Sequence, residues 1–313
     1  MDIFDEKTVT PMLIGEMRDA FDDPNYIYEL KLDGVRCFAY LDKTGVELRN
    51  KRNLRVSPIY PELDNVHKQI RKRCLLDGEL VVIGKDGKPD FAEIKRRALM
   101  SNDFKIKLAA DKLPVSFVAF DILYQDGNQL TDLPLMERKT LLEKAVKESE
   151  RLAISRYIER NGTQLYALAE QQELEGVVAK KKDSRYFFGK RTNEWIKIKN
   201  LKDDDFVVCG YIEKENNVVS IVLGQYRADQ LVYKGHVTLG ISGDDFRLIQ
   251  QQKRTDCPFS PAPKGNENAV WLAPSLVCTV KYMEKLENGS LRQPVFKGLR
   301  DDKAPEDCIE KDG

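Results

Sequence analysis

The chain has 313 residues, a length that suits two domains better than one. A hydrophobic fraction of 42% excludes a disordered chain, and no apolar run reaches the roughly 18 residues that a membrane span needs. The 51 basic and 51 acidic residues cancel, so net charge by itself gives no indication of a nucleic-acid partner.

Local charge is less even, because residues 180–202 contain nine Lys or Arg and only two acids. Such a segment is either a phosphate-binding face or an ordinary solvated surface. The six cysteines form no Cys-x-x-Cys pair and there are two histidines, so we expect reduced thiols and no zinc site. The acidic segment 1–6 lacks the pattern of a signal peptide, and we expect a cytoplasmic protein.

The first 200 residues mix strand and helix signals. Short β-prone runs predict strands at 26–30, 35–41, 46–48, 75–83 (broken at Asp77-Gly78), 115–123, 177–179 and 195–198. Apolar residues at helical spacing predict helices at 61–74, 135–149 and 163–174. This half is therefore expected to be α+β.

After residue 200 the character changes. A charged break at 202–205 is followed by β-prone runs at 206–212, 218–223, 231–233 and 276–282, with one candidate helix at 243–253. Several short strands in such a segment predict a small barrel of the oligonucleotide-binding (OB) kind. We place the boundary between domains 1–201 and 202–313.

Lys31 is the first candidate for chemistry. It follows a predicted strand and precedes a turn at Asp33-Gly34. A lysine amine with the ordinary pKa of about 10.4 is a poor nucleophile, and burial or nearby cations activate it. Lys197 and Lys199, two apart on a predicted strand, share one face and are candidates for that charge or for gripping phosphate. Alone, each of these is more often a solvated lysine.

Two acidic positions and one aromatic residue follow. Glu79 and Glu175 each stand beside a β-prone run, where a carboxylate can bind a hard divalent ion or a sugar hydroxyl. Phe120 ends an alternating run, where a ring can stack on a base. Taken singly, they are more often turn acids and a core phenylalanine.

Their order is more informative than any single residue. Lys-x-Asp-Gly-x-Arg from Lys31, Arg-Asn, Asp-Gly-Glu, Phe-Asp, Glu-Gly-Val-Val-x-Lys and Trp-Ile-Lys-Ile-Lys succeed one another from Glu29 to Lys199. This series resembles that of the covalent nucleotidyltransferases: DNA ligases, RNA ligases and capping enzymes. The tail 291–303, ending Arg300-Asp-Asp-Lys303, resembles the last motif of ATP-dependent DNA ligases, in particular the minimal bacterial type similar to the ligase domain of end-joining enzymes.

The resemblance implies a fold, an activity and a set of roles. The fold would be an adenylation domain of antiparallel sheets with flanking helices, followed by an all-β OB-fold. ATP and Mg²⁺ would be used to seal 5′-phosphate/3′-hydroxyl breaks in duplex DNA through lysyl-AMP on Lys31 and then DNA-adenylate. The residues implied to contact ATP are Glu29 at the adenine amino group, Arg36 near the ribose and nick termini, Arg52 at a phosphate, Glu79 at the ribose, Phe120 on the adenine face, and Lys197 and Lys199 at the α-phosphate.

The remaining implied roles concern the metal and the tail. Glu175, together with Glu79, would hold Mg²⁺. Arg300, Asp302 and Lys303 would orient the leaving pyrophosphate in the first step only. The alignment at Arg52 departs from the family, which often has Ser where this chain has Lys51.

Alternatives and partners complete the expectations. An RNA ligase or a GTP-dependent capping-type enzyme uses related motifs, and a non-catalytic DNA-binding module could keep the fold. We expect a monomer that acts on nicked or broken duplex DNA near a bacterial or phage nucleoid, with a Ku-type end-binding protein as a further partner and no membrane association.

Overall fold

A computed structural model describes residues 2–286 and 288–310 of the chain. The chain divides into two units, Met1–Asn200 and Leu201–Gly313, and each is described by itself.

The first unit contains eleven strands, five α-helices and three short 3₁₀ helices among its described residues. In chain order the elements are α1 (Ile3–Glu6), β1 (Leu13–Met17), β2 (Tyr26–Leu30), β3 (Val35–Leu41), β4 (Val46–Asn50), β5 (Cys74–Val82), α2 (Phe91–Ala98), α3 (Asp103–Lys112), β6 (Val115–Gln125), β7 (Asn128–Gln129), α4 (Leu135–Ala145), β8 (Leu152–Ile154), β9 (Tyr157–Glu159), α5 (Gly162–Gln171), β10 (Gly176–Lys181) and β11 (Arg191–Lys199).

These strands form two sheets. One has the order β1-β11-β10-β2-β9, and the other has the order β4-β3-β5-β6-β7 with β8 also paired to β6. All pairs are antiparallel except β1 with β11 and β6 with β8. The two sheets share a core in which Ile27 and Trp195 of the first pack with Phe38 and Tyr40 of the second.

Strand alternation decides which residues enter the space between the sheets. On β2, Ile27 faces the second sheet, so Glu29 and then Lys31 follow it on the same side, while Tyr28 packs on the opposite face. The same period places Lys197 and Lys199 after Trp195 on the inner face of β11. The apolar inner face thus becomes polar towards one end of the sheet.

One predicted helix is wrong. Residues 61–74 form two short 3₁₀ turns, Pro61–Leu63 and Val66–Gln69, followed by extended backbone at Ile70. Asp64 and Asn65, which are weak helix formers, separate the turns, while the apolar spacing that suggested a helix instead places Leu63 and Val66 in the core. Helices α2 and α3 were not predicted, and the strand expected to break at Asp77-Gly78 runs through as β5 with a register shift to β6.

The second unit is built mainly from strands. Its elements are β12 (Lys202–Glu213), β13 (Val219–Arg227), β14 (Gln230–Val237), α6 (Gly243–Gln250), β15 (Val270–Trp271), β16 (Val277–Tyr282) and β17 (Val295–Arg300). The sheet order is β14-β13-β12-β16-β17, with β15 on β12. Leu239, just after β14, bridges Val295 on β17, so the two edge strands approach each other as in a barrel.

The predicted class, an α+β domain of largely antiparallel sheets followed by an OB-like unit, is confirmed. Within the described residues, no helix combines the length and apolar character that a membrane crossing requires.

Candidate active site

Three strand ends meet at the polar end of the first sheet. Strand β2 ends just before Lys31, β10 starts just after Glu175, and β11 ends at Lys199. Since neighbouring strands are antiparallel, these ends lie side by side. The Lys31 backbone N–H donates to the Gly176 carbonyl at 2.9 Å, and the Asn200 N–H donates to the Glu175 carbonyl at 3.0 Å. The predicted Lys31, Glu175 and Lys199 are therefore brought together.

Glu175 holds the predicted nucleophile. The Lys31 Nζ donates to Glu175 Oε2 at 2.6 Å, and the Lys199 Nζ lies 4.0 Å from Oε1 of the same carboxylate. Glu175 is buried, whereas Lys31 keeps a fifth of its side chain exposed. The amine is thus aimed at the cleft by a fixed carboxylate and remains reachable from it.

Glycine at position 34 permits the close packing beside Lys31. A Cβ built there would lie 2.3 Å from the Leu80 carbonyl oxygen and 2.7 Å from the Glu79 Cγ. No larger residue fits without moving β5, which explains the Asp-Gly that follows the lysine.

A cleft of about 300 Å³ opens in front of Lys31. Its lining includes six of the predicted residues, Glu29, Lys31, Arg36, Glu79, Phe120 and Lys197, and it adds Lys51, Ser155, Lys180 and Trp195. A purine nucleotide is of suitable size for a cavity on this scale.

Glu29 is almost fully buried at the back of this cleft. Its Oε1 lies 2.5 Å from the Lys139 Nζ, its Oε2 lies 3.0 Å from the Lys180 Nζ, and Ser155 donates to Oε2 at 2.7 Å. Despite burial, the two lysines hold the pKa of Glu29 below its ordinary value. The sequence predicted Glu29 but none of its three partners.

Phe120 presents its ring to two cations and one aromatic neighbour. The Arg36 guanidinium lies 4.8 Å and the Lys180 ammonium 4.5 Å from the ring centroid, and Trp195 meets the ring edge-on at 6.0 Å. Lys180 also lies 4.2 Å from the Trp195 ring. Burial lowers the pKa of Lys180 to about 8.

Arg36 is fixed from behind by Asp77. The guanidinium makes two hydrogen bonds to the carboxylate, at 2.9 and 2.6 Å, and the Tyr186 hydroxyl donates to the same carboxylate at 2.6 Å. Asp77 is completely buried, so this fork holds Arg36 in one orientation. Asp77 belongs to the predicted Asp-Gly-Glu motif, but its own role and that of Tyr186 were missed.

The pKa values of two further residues are shifted by burial and by the neighbouring charges of the cleft. Burial raises the pKa of Glu79 to about 8; Arg36 and Lys31 oppose the rise, whereas Glu175 and Asp77 add to it. Burial, followed by the charge of Lys31, lowers the pKa of Lys197. The carboxylates at the cleft therefore repel one another, and so do its cations.

The turn after β4 places Lys51, not Arg52, on the lining of the cleft. Arg52 is exposed, and its backbone N–H donates to Asn50 Oδ1 at 3.0 Å. Arg52 is thus not among the residues that line the cleft, whereas Lys51 is, and the phosphate contact of Arg52 stays a prediction.

Glu79 and Glu175 are the two carboxylates predicted to bind a metal ion. No cluster of three or more His, Cys, Asp or Glu side chains suited to a metal occurs within residues 2–286 and 288–310. Mg²⁺ commonly takes one or two carboxylates, with water and substrate phosphate supplying the other ligands. A cation would also relieve the repulsion between these carboxylates, so the donor set fits Mg²⁺.

In the second unit, Asp205 gathers two of the three predicted tail residues. Arg300 Nη1 and Lys303 Nζ each donate to Asp205 Oδ2 at 2.9 Å, and Thr279 donates to Oδ1 at 2.7 Å. Asp302 binds the other side of the Arg300 guanidinium at 2.8 and 2.6 Å. Although burial opposes it, bonds from Lys303, Thr279 and Arg300 hold the pKa of Asp205 below its ordinary value.

Two protein-family profiles match most of the chain. The profile described as ATP dependent DNA ligase domain matches residues 11–199, and the profile of the ATP dependent DNA ligase C terminal region matches residues 214–303. The chain belongs to the ATP-dependent DNA ligase family. Both profiles are those of DNA ligases, so the predicted enzyme class is confirmed over the RNA ligase, capping-type and non-catalytic alternatives.

Individual proteins similar to this chain are also described as DNA ligases, DNA ligase-like proteins or end-joining proteins. The SPbeta prophage-derived DNA ligase-like protein LigB of Bacillus subtilis is 29% identical over 93% of this chain and 99% of LigB. The multifunctional non-homologous end joining protein LigD of Pseudomonas aeruginosa is 30% identical over 95% of this chain, which spans 36% of LigD. A solved structure described as mycobacterial DNA ligase D complexed with ATP and MES is 29% identical, with a TM-score of 0.58 over 97% of this chain and 99% of that one.

Proposed function

We propose that this ligase seals 5′-phosphate/3′-hydroxyl breaks in duplex DNA, with Lys31 as the nucleophile that takes AMP from ATP. The observation that carries the proposal is the Lys31 amine, held at 2.6 Å by Glu175 on the floor of a nucleotide-sized cleft. Family membership supplies the reaction class, and the Lys31–Glu175 contact supports Lys31 as the reacting residue.

Three transfers follow. The neutral Lys31 amine attacks the α-phosphorus of ATP, a nitrogen–phosphorus bond forms, the bond to the bridging oxygen breaks, and pyrophosphate leaves. An oxygen of a DNA 5′-phosphate then displaces lysine from AMP. Finally a 3′-hydroxyl attacks the 5′-phosphorus and releases AMP. Glu175 is placed to receive the proton that Lys31 must lose before the first transfer.

The predicted residues divide into base, sugar and phosphate contacts. Glu29 and Phe120 take the adenine edge and face, and Glu79 takes a ribose hydroxyl. Arg36, fixed by Asp77, lies towards the ribose and nick termini. Lys197 and Lys199 contact the α-phosphate, Arg52 another phosphate, and these cations supply the charge stabilisation on which nucleotidyl transfer depends.

Glu175, with Glu79, would hold Mg²⁺ once ATP is bound. The ion would neutralise developing phosphate charge. Substituting Glu175→Gln should raise the Mg²⁺ concentration needed for half-maximal labelling by ATP.

Nick sealing is the direct test. A 5′-phosphorylated nicked DNA duplex should be sealed with ATP and Mg²⁺, but not with GTP or NAD in place of ATP. A nicked duplex with RNA on both sides of the nick should be sealed more slowly. Efficient sealing of the RNA duplex with no DNA sealing, or labelling by GTP alone, would refute the proposal.

The tail residues should act in the first step only. Replacing Arg300 or Lys303 by alanine should slow protein labelling by ATP about 100-fold, since each removes a cation directed at the leaving group. Sealing of DNA that already carries a 5′-adenylate should change less than about threefold, and exposed Lys264→Ala should change neither rate. Equal losses in both reactions would show that these residues serve the fold instead.

The type of DNA break determines how many DNA molecules must come together before they can be joined. A nick holds both termini in one duplex, whereas two separate ends must first be brought together, at an entropic cost that a bridging protein removes. We therefore propose that end joining, but not nick sealing, is strongly stimulated by a Ku-type end-binding protein. Ligation of blunt fragments with and without such a protein, alongside a nicked substrate, measures the difference.

A further inference from the structure

Two buried lysines from different elements contact the carboxylate of Glu29. Lys139 lies on α4 and Lys180 on β10, and all three side chains are at most 3% exposed. We propose that Lys139, a residue outside every motif of the sequence, positions Glu29 so that the Lys31 site selects a purine with a 6-amino group and rejects one with a 6-oxo group. This inference rests on the function proposed above.

The contacts leave one acceptor position for a ligand. Glu29 Oε2 is approached by Lys180 at 3.0 Å and by the Ser155 hydroxyl at 2.7 Å, whereas Oε1 is approached by Lys139 at 2.5 Å. Ser155 hydrogen-bonds to Oε2, whereas Oε1 receives no hydrogen bond from the described residues, because the Lys139 contact is an ion pair without hydrogen-bond geometry. Glu29 lines the cleft, so its carboxylate keeps acceptor capacity for a base bound there.

The charge on Glu29 determines which base fits. An ionised carboxylate only accepts hydrogen bonds, and adenine offers an amino donor where guanine offers an oxygen acceptor. Burial by itself favours the protonated carboxyl, which could donate to guanine. Lys139 and Lys180 oppose that effect and hold the pKa of Glu29 below its ordinary value. The groups facing Glu29 are these two lysines, Ser155 and, from β9, the Tyr157 ring, which lies 5.7 Å from the Lys139 Nζ.

Substituting Lys139 tests the positioning of Glu29 without disturbing base stacking, whereas substituting Lys180 would affect both. Lys180 also contacts the Phe120 and Trp195 rings, so replacing it would disturb the base-stacking side of the cleft. Lys139 touches neither ring in the described contacts. Methionine has a similar length and no charge, and Lys144, exposed on the same helix, provides a matched control.

The experiment compares Lys139→Met, Lys139→Arg and Lys144→Met. For each variant, kcat/KM of self-labelling is measured with ATP, GTP and the triphosphate of purine riboside, which lacks the 6-amino group. Wild type should prefer ATP over both. Lys139→Met should lower each preference at least about tenfold, the size expected for a hydrogen bond to a charged group. Lys139→Arg should restore most of the preference, and Lys144→Met should retain it.

Two further readouts distinguish positioning from a structural role. In Lys139→Met the preference for ATP should fall further as the pH is lowered from 7 to 6, where Lys180 is already largely charged, because one lysine fewer lets Glu29 take up a proton. In wild type the preference should stay flat over this range. In a Glu29→Gln background, adding Lys139→Met should change the preference no further. Lys139→Met keeps the Glu29–Lys180 ion pair, so it leaves no buried charge without a partner and is expected to fold.

The outcomes are separable. Unchanged preference in Lys139→Met, or equal additional losses in both backgrounds, would overturn this inference while leaving Lys31 as nucleophile. Absence of any AMP labelling in wild type would overturn the proposed function itself.

Discussion

Replacing Lys31 by alanine is expected to reduce ATP-dependent nick sealing by about 10⁴-fold or more, the range seen when a covalent nucleophile is removed. The physical reason is that the first transfer then has no acceptor. Glu175 contacts the Lys31 amine at 2.6 Å, and Lys31 and Lys197 line the same cleft. Sealing is measured with a 5′-phosphorylated nick, and labelling with ATP radioactive at the α-phosphate.

A substrate that bypasses the first two transfers sharpens this test. DNA carrying a 5′-adenylate needs only attack by the 3′-hydroxyl, so Lys31→Ala should seal it within about tenfold of wild type. Lys43→Ala, at an exposed lysine in the β3–β4 turn, should behave as wild type in both assays. Retention of ATP-dependent sealing by Lys31→Ala would refute the mechanism.

Replacing Arg138 by methionine should destabilise the first unit by about 3–5 kcal/mol, the cost of leaving a buried charge without its partner. Arg138 and Asp121 are fully buried and joined by two hydrogen bonds of 2.8 Å. Arg138 also donates to the Ser184 carbonyl at 2.9 Å. Because Asp121 follows Phe120 directly, the change should also raise KM for ATP.

The measurement needs a signal from the first unit alone. The chain has two tryptophans, Trp195 in the first unit and Trp271 in the second. In a Trp271→Phe background, denaturant unfolding followed by fluorescence reports on Trp195. Arg156→Met, which removes an ion pair whose arginine is 74% exposed, should cost under about 1 kcal/mol. If Arg138→Met and Arg156→Met lowered the free energy of unfolding by similar amounts, burial of the Arg138–Asp121 pair could not be the cause of the larger effect that we expect for Arg138→Met.

Sequence periodicity predicted much of the cleft because strand alternation is a local property. Lys197 and Lys199 were placed on one face by their spacing alone, and in the structure Lys197 lines the cleft and Lys199 approaches Glu175. Helices α2 and α3 could have been predicted from their N-caps, since the Asp90 and Asn102 side chains accept from backbone N–H groups three residues on.

The supporting residues have no comparable local signal. Asp77 and Tyr186 are 109 residues apart, and their hydrogen bond exists because the two sheets pack face to face. Lys139 contacts Glu29 because α4 packs against β6 of the second sheet and places this side chain in the space between the sheets, and its helical spacing fits an ordinary buried-face residue. Asp205 lies in the run of acids that marked a domain break, and its contacts with Arg300 and Lys303 depend on the pairing of β12 with β16 and of β16 with β17.

The most direct test of the central claim is to map the adenylated residue. The protein is incubated with ATP and Mg²⁺ without DNA, digested with a protease, and the peptides are analysed by mass spectrometry. We predict AMP on the peptide that contains Lys31, and its loss on addition of 5′-phosphorylated nicked DNA. AMP on a different residue, or an AMP adduct on Lys31 that nicked DNA does not discharge, would contradict the account.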